Sequence, residues 1–170
     1  GNTFTMGTAD VTLYAEWAPW AGVFSEVVAA ASAGEFQMGS SAGEPDEQPV
    51  HTVTLDRSYE VGTYEVTNRQ FAAVMDYALQ HNWVSANSAS LQNSSGNIQE
   101  LLDLDDSDWR IEYAGGTLAV RSGYENHPVV EVSWYGAAAF AYYLNQIESR
   151  EQTYDLTDWS VNLAAAGYRL

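Results

Sequence analysis

The sequence predicts an α+β fold built from short strands, two helices and long polar loops. Three observations carry this. Residues 50–62 alternate apolar and polar side chains at the two-residue period of half-buried strands. Residues 67–81 place apolar side chains at helical spacing behind a capping signal. Between the regular stretches lie segments rich in Ser, Asn, Gly and Asp, the residues that favour turns.

In chain order, "TFTM" and "VTLYAEW" read as two strands of a hairpin. Phe4 and Met6 alternate with Thr3 and Thr5, Gly7-Thr8-Ala9-Asp10 makes the turn, and Val11, Leu13 and Ala15 alternate with Thr12, Tyr14 and Glu16. Two strands alone are marginal in water. Residues 20–33 are rich in small residues and read as a linker and lead-in, with a first apolar segment around Val27 and Val28. "PVHTVTLDRSYEVG" gives two strands, with Val50, Thr52 and Thr54 on one face, His51, Val53 and Leu55 on the other, and Asp56-Arg57 at the turn.

Thr67 opens a helix to His81. The Thr67 hydroxyl and the Gln70 side chain form a capping box, and Phe71, Val74, Met75, Ala78 and Leu79 make one apolar stripe. Residues 85–99 read as an exposed loop. Residues 109–120 form a hairpin around Gly115-Gly116, where positive φ is needed. Residues 126–133 give a short strand, then Ser133 caps a second helix whose inner face is Trp134, Ala137, Ala138, Ala141 and Leu144, widened by Phe140 and Ile147. Such a helix is expected to be buried on most sides.

Charge and composition narrow the function. With 23 Asp and Glu against 6 Lys and Arg, the net charge of −17 disfavours nucleic acid and anionic lipid as partners. A content of 46% hydrophobic and 13% aromatic residues argues for a packed domain over a disordered acidic one. No run approaches the roughly 20 apolar residues that span a bilayer; residues 17–36 are interrupted by Ser25, Glu26, Ser32 and Glu35. The absence of cysteine excludes disulfides, thiolate metal sites and a cysteine nucleophile within these residues. There is no initiator Met and no basic segment before an apolar run, so no signal peptide is visible.

Two resemblances follow from these residues. "TFTM" followed by "VTLYAEW" resembles the closing strands of an internalin B-type repeat, a small β-grasp module of bacterial surface and secreted proteins. "GEFQMGS", "EPDEQPVHTVTL", "YEVTNRQFAAV", "HPVVEVSWYGAAAFAYYLN" and "GYRL" stand in the order seen in the formylglycine-generating enzyme, or sulfatase-modifying factor, family. The resemblance implies three regions: residues 1–19 as the end of a repeat, 20–33 as linker and lead-in, and 34–170 as the N-terminal portion of the domain. It implies an incomplete variant of the C-type lectin fold, whose family motif continues beyond "GYRL". It places the chain in a bacterial surface or secreted protein. The enzymes of the family use oxygen and copper held by a cysteine pair to convert a sulfatase cysteine to formylglycine, and they carry calcium-binding loops. Those features lie downstream of the matched motifs, so copper and calcium are expected only in a longer protein, and no catalytic residue is carried over to this chain. Part of the core is then expected to stand exposed where the remaining half of the domain packs, giving poor solubility or molten behaviour with strong ANS binding.

Three clusters invite a chemical reading. Glu44, Asp46 and Glu47 beside His51 look like a carboxylate–imidazole metal set, but a single His among loop carboxylates is weakly diagnostic, and the loop reads as frame. Asp103, Asp105 and Ser107 fit the first positions of a calcium loop, yet Asp108 stands where Gly is needed and Ala114 where Glu is needed, so an acidic turn is preferred. His127, held extended by Pro128, reads as a buried hydrogen-bonding group rather than a base. Glu65 and Asn68 at the first helix fit helix-end electrostatics and capping.

No metal or cofactor site and no catalytic residue is therefore expected in these residues. Three readings of the longer protein remain: a copper-dependent formylglycine-generating oxidase; a non-catalytic binding or display module with a protein or glycan ligand; and a non-haem iron relative, which would need a histidine-rich region.

Overall fold

The computed structural model describes residues 33–170 in full and the backbone of residues 3–6, 9–12 and 27–31. It is an α+β structure of short antiparallel strands and two helices. The chain divides into two units, residues 24–64, and residues 65–170 together with 1–23.

Near the N-terminus, β1 (Thr3–Met6) and β2 (Ala9–Thr12) pair as an antiparallel hairpin with Met6 opposite Ala9. Ala9 and Asp10, assigned to the turn by the sequence, belong to the strand, and positions 7 and 8 lie outside the described residues. The remaining repeat positions, 13–19, and the linker positions up to 26 lie outside the described residues.

The unit 24–64 contains two separate strand pairs. The apolar segment around Val27 and Val28 is strand β3 (Val27–Ala31), which pairs with β6 (Tyr59–Gly62). Strand β4 (Gly34–Met38) pairs with β5 (His51–Leu55). The two strands joined through Asp56-Arg57 thus lie in different pairs rather than forming a hairpin with each other. Val53 and Leu55 are half-buried while Thr52 and Thr54 are exposed, which is the face assignment the alternation predicts. None of residues 33–64 is fully buried.

The unit 65–170 holds every buried apolar side chain among the described residues. Helix α1 (Asn68–Gln80) starts at the predicted capping box: the Thr67 side chain accepts from the Gln70 N–H, and the Gln70 side chain accepts from the Thr67 N–H at 2.8 Å. Its face of Phe71, Val74, Met75 and Ala78 is buried, with Ala72 added and Leu79 only half-buried. Strands β7 (Val84–Ala86), β8 (Ser90–Asn93) and β9 (Glu100–Asp103) form a three-stranded antiparallel sheet. This corrects the expectation of an exposed loop over 85–99, since Ser90, Leu91 and Asn93 are buried. Hairpin β10 (Ile111–Ala114) and β11 (Thr117–Val120) turns at Gly115 and Gly116, both with positive φ (62° and 88°). It docks on α1 through Asp76, which accepts from the Thr117 hydroxyl and the Leu118 N–H, each at 2.8 Å.

The segment 126–133 is not a strand but makes isolated bridges, Pro128 with Thr67 and Val132 with Leu102. Helix α2 (Trp134–Ile147) begins at Ser133, whose side chain accepts from the Gly136 N–H at 3.0 Å. The helix is buried on most sides, and Ala138, Phe140, Ala141 and Leu144 of the predicted face are inside, joined by Gly136, Ala139, Tyr143 and Asn145. Ala137 and Ile147 are half-buried, and Trp134, predicted inside, is 53% exposed. Gly136 brings α2 close to β9: a Cβ there would lie 1.9 Å from the Leu101 carbonyl oxygen. Phe71 of α1 stacks on Phe140 of α2 with ring centroids 5.6 Å apart. Burying such side chains contributes roughly 1.5–3 kcal/mol each.

Candidate functional site

The loop that suggested a metal set is shaped by the backbone. Pro45–Glu47 form one turn of 3-10 helix, and the Glu47 carbonyl accepts from the Ser40 N–H at 3.1 Å. His51 Nδ1 lies 2.9 Å from the Pro49 carbonyl oxygen, a local backbone contact. Glu44, Asp46 and Glu47 are exposed.

The acidic turn at 103–108 is likewise held by its own amides. One oxygen of Asp103 accepts from the N–H groups of Asp105 (3.0 Å) and Asp106 (3.2 Å), and Asp106 accepts from Asp108 N–H (2.8 Å). Glu131, with φ of +60°, is brought beside this turn. The charge of Asp106 and then partial desolvation hold its carboxyl above the usual range, with Asp103 and Asp108 adding to the effect. Asp105 is also raised, first by its hydrogen bond to Asp103 and then by that residue's charge. Among the described residues no group of three or more His, Cys, Asp or Glu is arranged to hold a metal ion. Nothing here assigns calcium to the turn.

His127 is exposed, contrary to the expectation of a buried imidazole; its ring lies 5.2 Å from that of Tyr124. Its backbone does the structural work, because its carbonyl accepts from the Asn68 N–H at 2.9 Å and from Asn68 Nδ2 at 3.1 Å. Asn68 is completely buried and also donates to the Tyr124 carbonyl at 2.9 Å. It is therefore a clamp on the 124–128 loop rather than a cap, and Thr67 performs the capping. Glu65 is exposed.

The site that sequence reasoning missed lies at the C-terminal end of α2. Asn145 is fully buried and reads both backbone groups of Tyr168: its Oδ1 accepts from the Tyr168 N–H at 2.7 Å, and its Nδ2 donates to the Tyr168 carbonyl at 3.0 Å. Gly167 is required beside it, since a Cβ would lie 2.1 Å from the Glu151 carbonyl oxygen. The Tyr168 hydroxyl bonds Glu148 at 2.9 Å, and Arg150 pairs with the same carboxylate at 2.8 Å while its guanidinium lies 4.5 Å from the Tyr168 ring centre. An Asn ending an otherwise apolar helical face was the available signal.

Next to this clamp, residues 152–162 fold back on themselves, with Tyr154 bridged to Val161 and the Asn162 N–H donating to the Thr153 carbonyl at 2.8 Å. The left-handed backbone of Trp159 (φ 61°) closes the loop, and its indole N–H donates to the Asn97 carbonyl at 3.0 Å. Between the loop and α2 opens a groove of about 500 Å³, lined in part by Tyr142, Tyr154, Asp155, Ser160, Val161 and Asn162. That volume falls within the range of small-ligand sites.

Residues 24–170 match the family described as "Sulfatase-modifying factor enzyme 1-like domain", and the chain belongs to that family. Among curated relatives, it is 36% identical over 137 residues to the serine/threonine-protein kinase Pkn1 of Chlamydia trachomatis, covering 81% of this chain and 19% of that protein. It is 38% identical over 113 residues to the serine/threonine-protein kinase pkn1 of Chlamydia pneumoniae, covering 66% and 16%. It is 34% identical over 125 residues to the formylglycine-generating enzyme of Streptomyces coelicolor, covering 64% and 39%. The chain thus spans well under half the length of each of these relatives. No solved structure matches it significantly. The match begins at residue 24 and so takes in β3, ahead of the boundary at 34 that the motifs suggested.

Copper held by a cysteine pair has no donor set here, because the 170 residues contain no cysteine. No step through copper is derived for this chain.

Proposed function

We propose that this chain is the framework of a sulfatase-modifying-factor-type domain, arranged in the C-type-lectin-like manner, that serves a bacterial surface or secreted protein as a binding or display module. In this reading the residues present catalyse nothing by themselves. One observation carries it: in the helical and C-terminal stretches that mark the family, five polar side chains bond this chain's own backbone, with the buried Asn68 Oδ1 alone left without a partner among the described buried side-chain atoms. Thr67 and Gln70 cap α1, Asn68 clamps the 124–128 loop, Ser133 caps α2, and Asn145 holds Tyr168. The similarity to proteins bearing two different activity names supports the same reading, since a stretch common to both is more readily scaffold than chemistry.

A second reading rests on the 34% identity to the Streptomyces enzyme: a longer protein containing this chain is a copper-dependent formylglycine-generating oxidase. Its copper donors would then lie outside these 170 residues. The test is to incubate the chain with copper(I), oxygen and a sulfatase-derived peptide carrying its target cysteine, beside the Streptomyces enzyme as positive control. Mass spectrometry should find the peptide unchanged by this chain. Conversion of the cysteine to formylglycine would overturn the proposal.

A further inference from the structure

Hairpin β10–β11 ends on two charges of the same sign. Ile111 stands opposite Val120, so Arg110 and Arg121 are the next opposite positions, joined by the Arg121 N–H donating to the Arg110 carbonyl at 2.8 Å. Opposite positions share a face with their Cβ atoms about 4.5–5.5 Å apart, and like charges there destabilise a strand pair. In a chain with 23 Asp and Glu against 6 Lys and Arg, two cations facing each other call for a cause. Both guanidiniums gather on one ring: Arg110 Cζ lies 4.5 Å and Arg121 Cζ 5.5 Å from the centre of Tyr124. Arg121 Cζ is also 5.3 Å from the Trp109 ring centre, and the His127 ring lies 5.2 Å from that of Tyr124.

Arg110 is already in use. Its Nη1 donates to the Asp108 and Trp109 carbonyls at 2.6 and 2.9 Å, and its Nη2 is 3.5 Å from the Asp108 carboxylate. Arg121 is exposed and, among the described residues, makes no side-chain hydrogen bond and no ion pair. Glu112, two residues along the same face, pairs with neither arginine, and Glu125 accepts from the Gly123 N–H at 2.9 Å. The groups left open around Tyr124 are thus guanidinium N–H groups, with an imidazole and a phenol that can also donate. Such surroundings take a negatively charged acceptor.

We propose that the mouth of the β10–β11 hairpin binds a dianionic phosphate group, free or as a monoester. Two guanidinium forks on one face match several oxygens of one tetrahedral anion, whose two charges offset the repulsion between them. A single carboxylate does not suffice, since Asp108 sits against Arg110 and leaves Arg121 unmet. The net charge of −17 opposes an extended polyanion, but screening over about 8 Å at physiological salt leaves a small anion to the groups it touches. The site is independent of the framework role proposed for the domain.

The test titrates the 170-residue chain near pH 8, where phosphate is mostly dianionic, with inorganic phosphate and methyl phosphate, and with acetate as comparator, by calorimetry and tryptophan fluorescence. Phosphate should bind saturably, at least about fivefold tighter than acetate, and weaken severalfold between about 0.05 M and 0.5 M salt. Methyl phosphate bound severalfold tighter than inorganic phosphate assigns the monoester; the reverse assigns the free ion. Arg121→Gln should weaken binding about tenfold or more, and Arg121→Lys less, because lysine keeps the charge without the fork. Asp108→Asn should tighten binding by releasing Arg110. Arg57→Gln, which removes an exposed arginine within residues 24–64, should leave it unchanged. All variants should melt within a few degrees of the parent; if Arg121→Gln melts lower, Arg121→Lys and Asp108→Asn decide. Absence of saturable phosphate binding overturns the inference, as do acetate binding as tight as phosphate, binding unaffected at Arg121, and an equal loss in Arg57→Gln.

Discussion

At the residue scale, Glu131 works against the neutral-pH stability of its surroundings. Glu131 sits in the left-handed region at φ +60° while Asp106, Asp103 and Asp108 repel its charge. An L residue there costs about 1–2 kcal/mol relative to Gly, partly offset by the greater freedom of Gly in the unfolded chain. Glu131→Gly should therefore stabilise the chain by up to about 1 kcal/mol, read from the urea midpoint; a loss would show that the side chain holds the turn. Tyr143 is the opposite case. Burial pushes its hydroxyl well above the usual phenol value, and that hydroxyl donates to the Trp83 carbonyl at 3.0 Å. A folded-state pKa raised above the unfolded one gives stability that is complete below the unfolded value, near pH 10, and lost as pH rises toward the folded value. Stability should fall by up to about 1.4 kcal/mol per pH unit above pH 10 from this residue. Tyr143→Phe should flatten that slope at the cost of about 1 kcal/mol near neutral pH, as measured by urea unfolding across pH 7–11.

At the scale of elements, the packing of α2 on β9 depends on Gly136. Intrinsic helix propensity favours Ala over Gly by about 1 kcal/mol. Here a Cβ would meet the Leu101 backbone at 1.9 Å, with no flexible side chain to yield. Gly136→Ala should thus destabilise by more than about 2 kcal/mol in thermal or urea unfolding; a gain would mean that α2 and β9 do not meet as closely as described. The helices were legible in the sequence because their signals are local. Thr67 and Gln70 announce α1, Ser133 announces α2, and Gly115-Gly116 announces the β10–β11 turn. The sheet β7–β8–β9 was not, because its strands are three or four residues long and the stretch 85–99 between and within them is rich in Ser and Asn. Those Asn residues make turns: Asn87 accepts from the Ala89 and Ser90 N–H groups, and Asn93 accepts from Gln99 N–H. On α2 the sequence named Ala138, Phe140, Ala141 and Leu144 correctly but also Trp134, which is exposed, because a helix apolar nearly all round carries no sharp stripe. In the candidate site, the turn of the 44–51 loop was readable from its prolines, whereas the Asn145–Tyr168 clamp joins residues 23 apart and left only an Asn at the end of an apolar helical face as its mark.

For the whole molecule, order is unevenly distributed. Every buried apolar side chain among the described residues lies between Phe71 and Ala165, while residues 33–64 have two-stranded pairs without a fully buried residue. Two-stranded pairs are marginal without a packed face. Large apolar side chains such as Trp134, Leu163 and Leu170 stand exposed. Among the described residues no helix is long and apolar enough to cross a membrane. In the 65–170 unit the family's motif residues bond the backbone at the helix starts and at Tyr168. Amide hydrogen exchange over the whole chain tests it most directly, because each motif bond shields a particular N–H. The amides of Asn68, Gln70, Gly136 and Tyr168 should exchange as slowly as the interiors of α1 and α2, and more slowly than those of β4 and β5. Exchange of those four amides at unprotected rates, with the helices still protected, would contradict it.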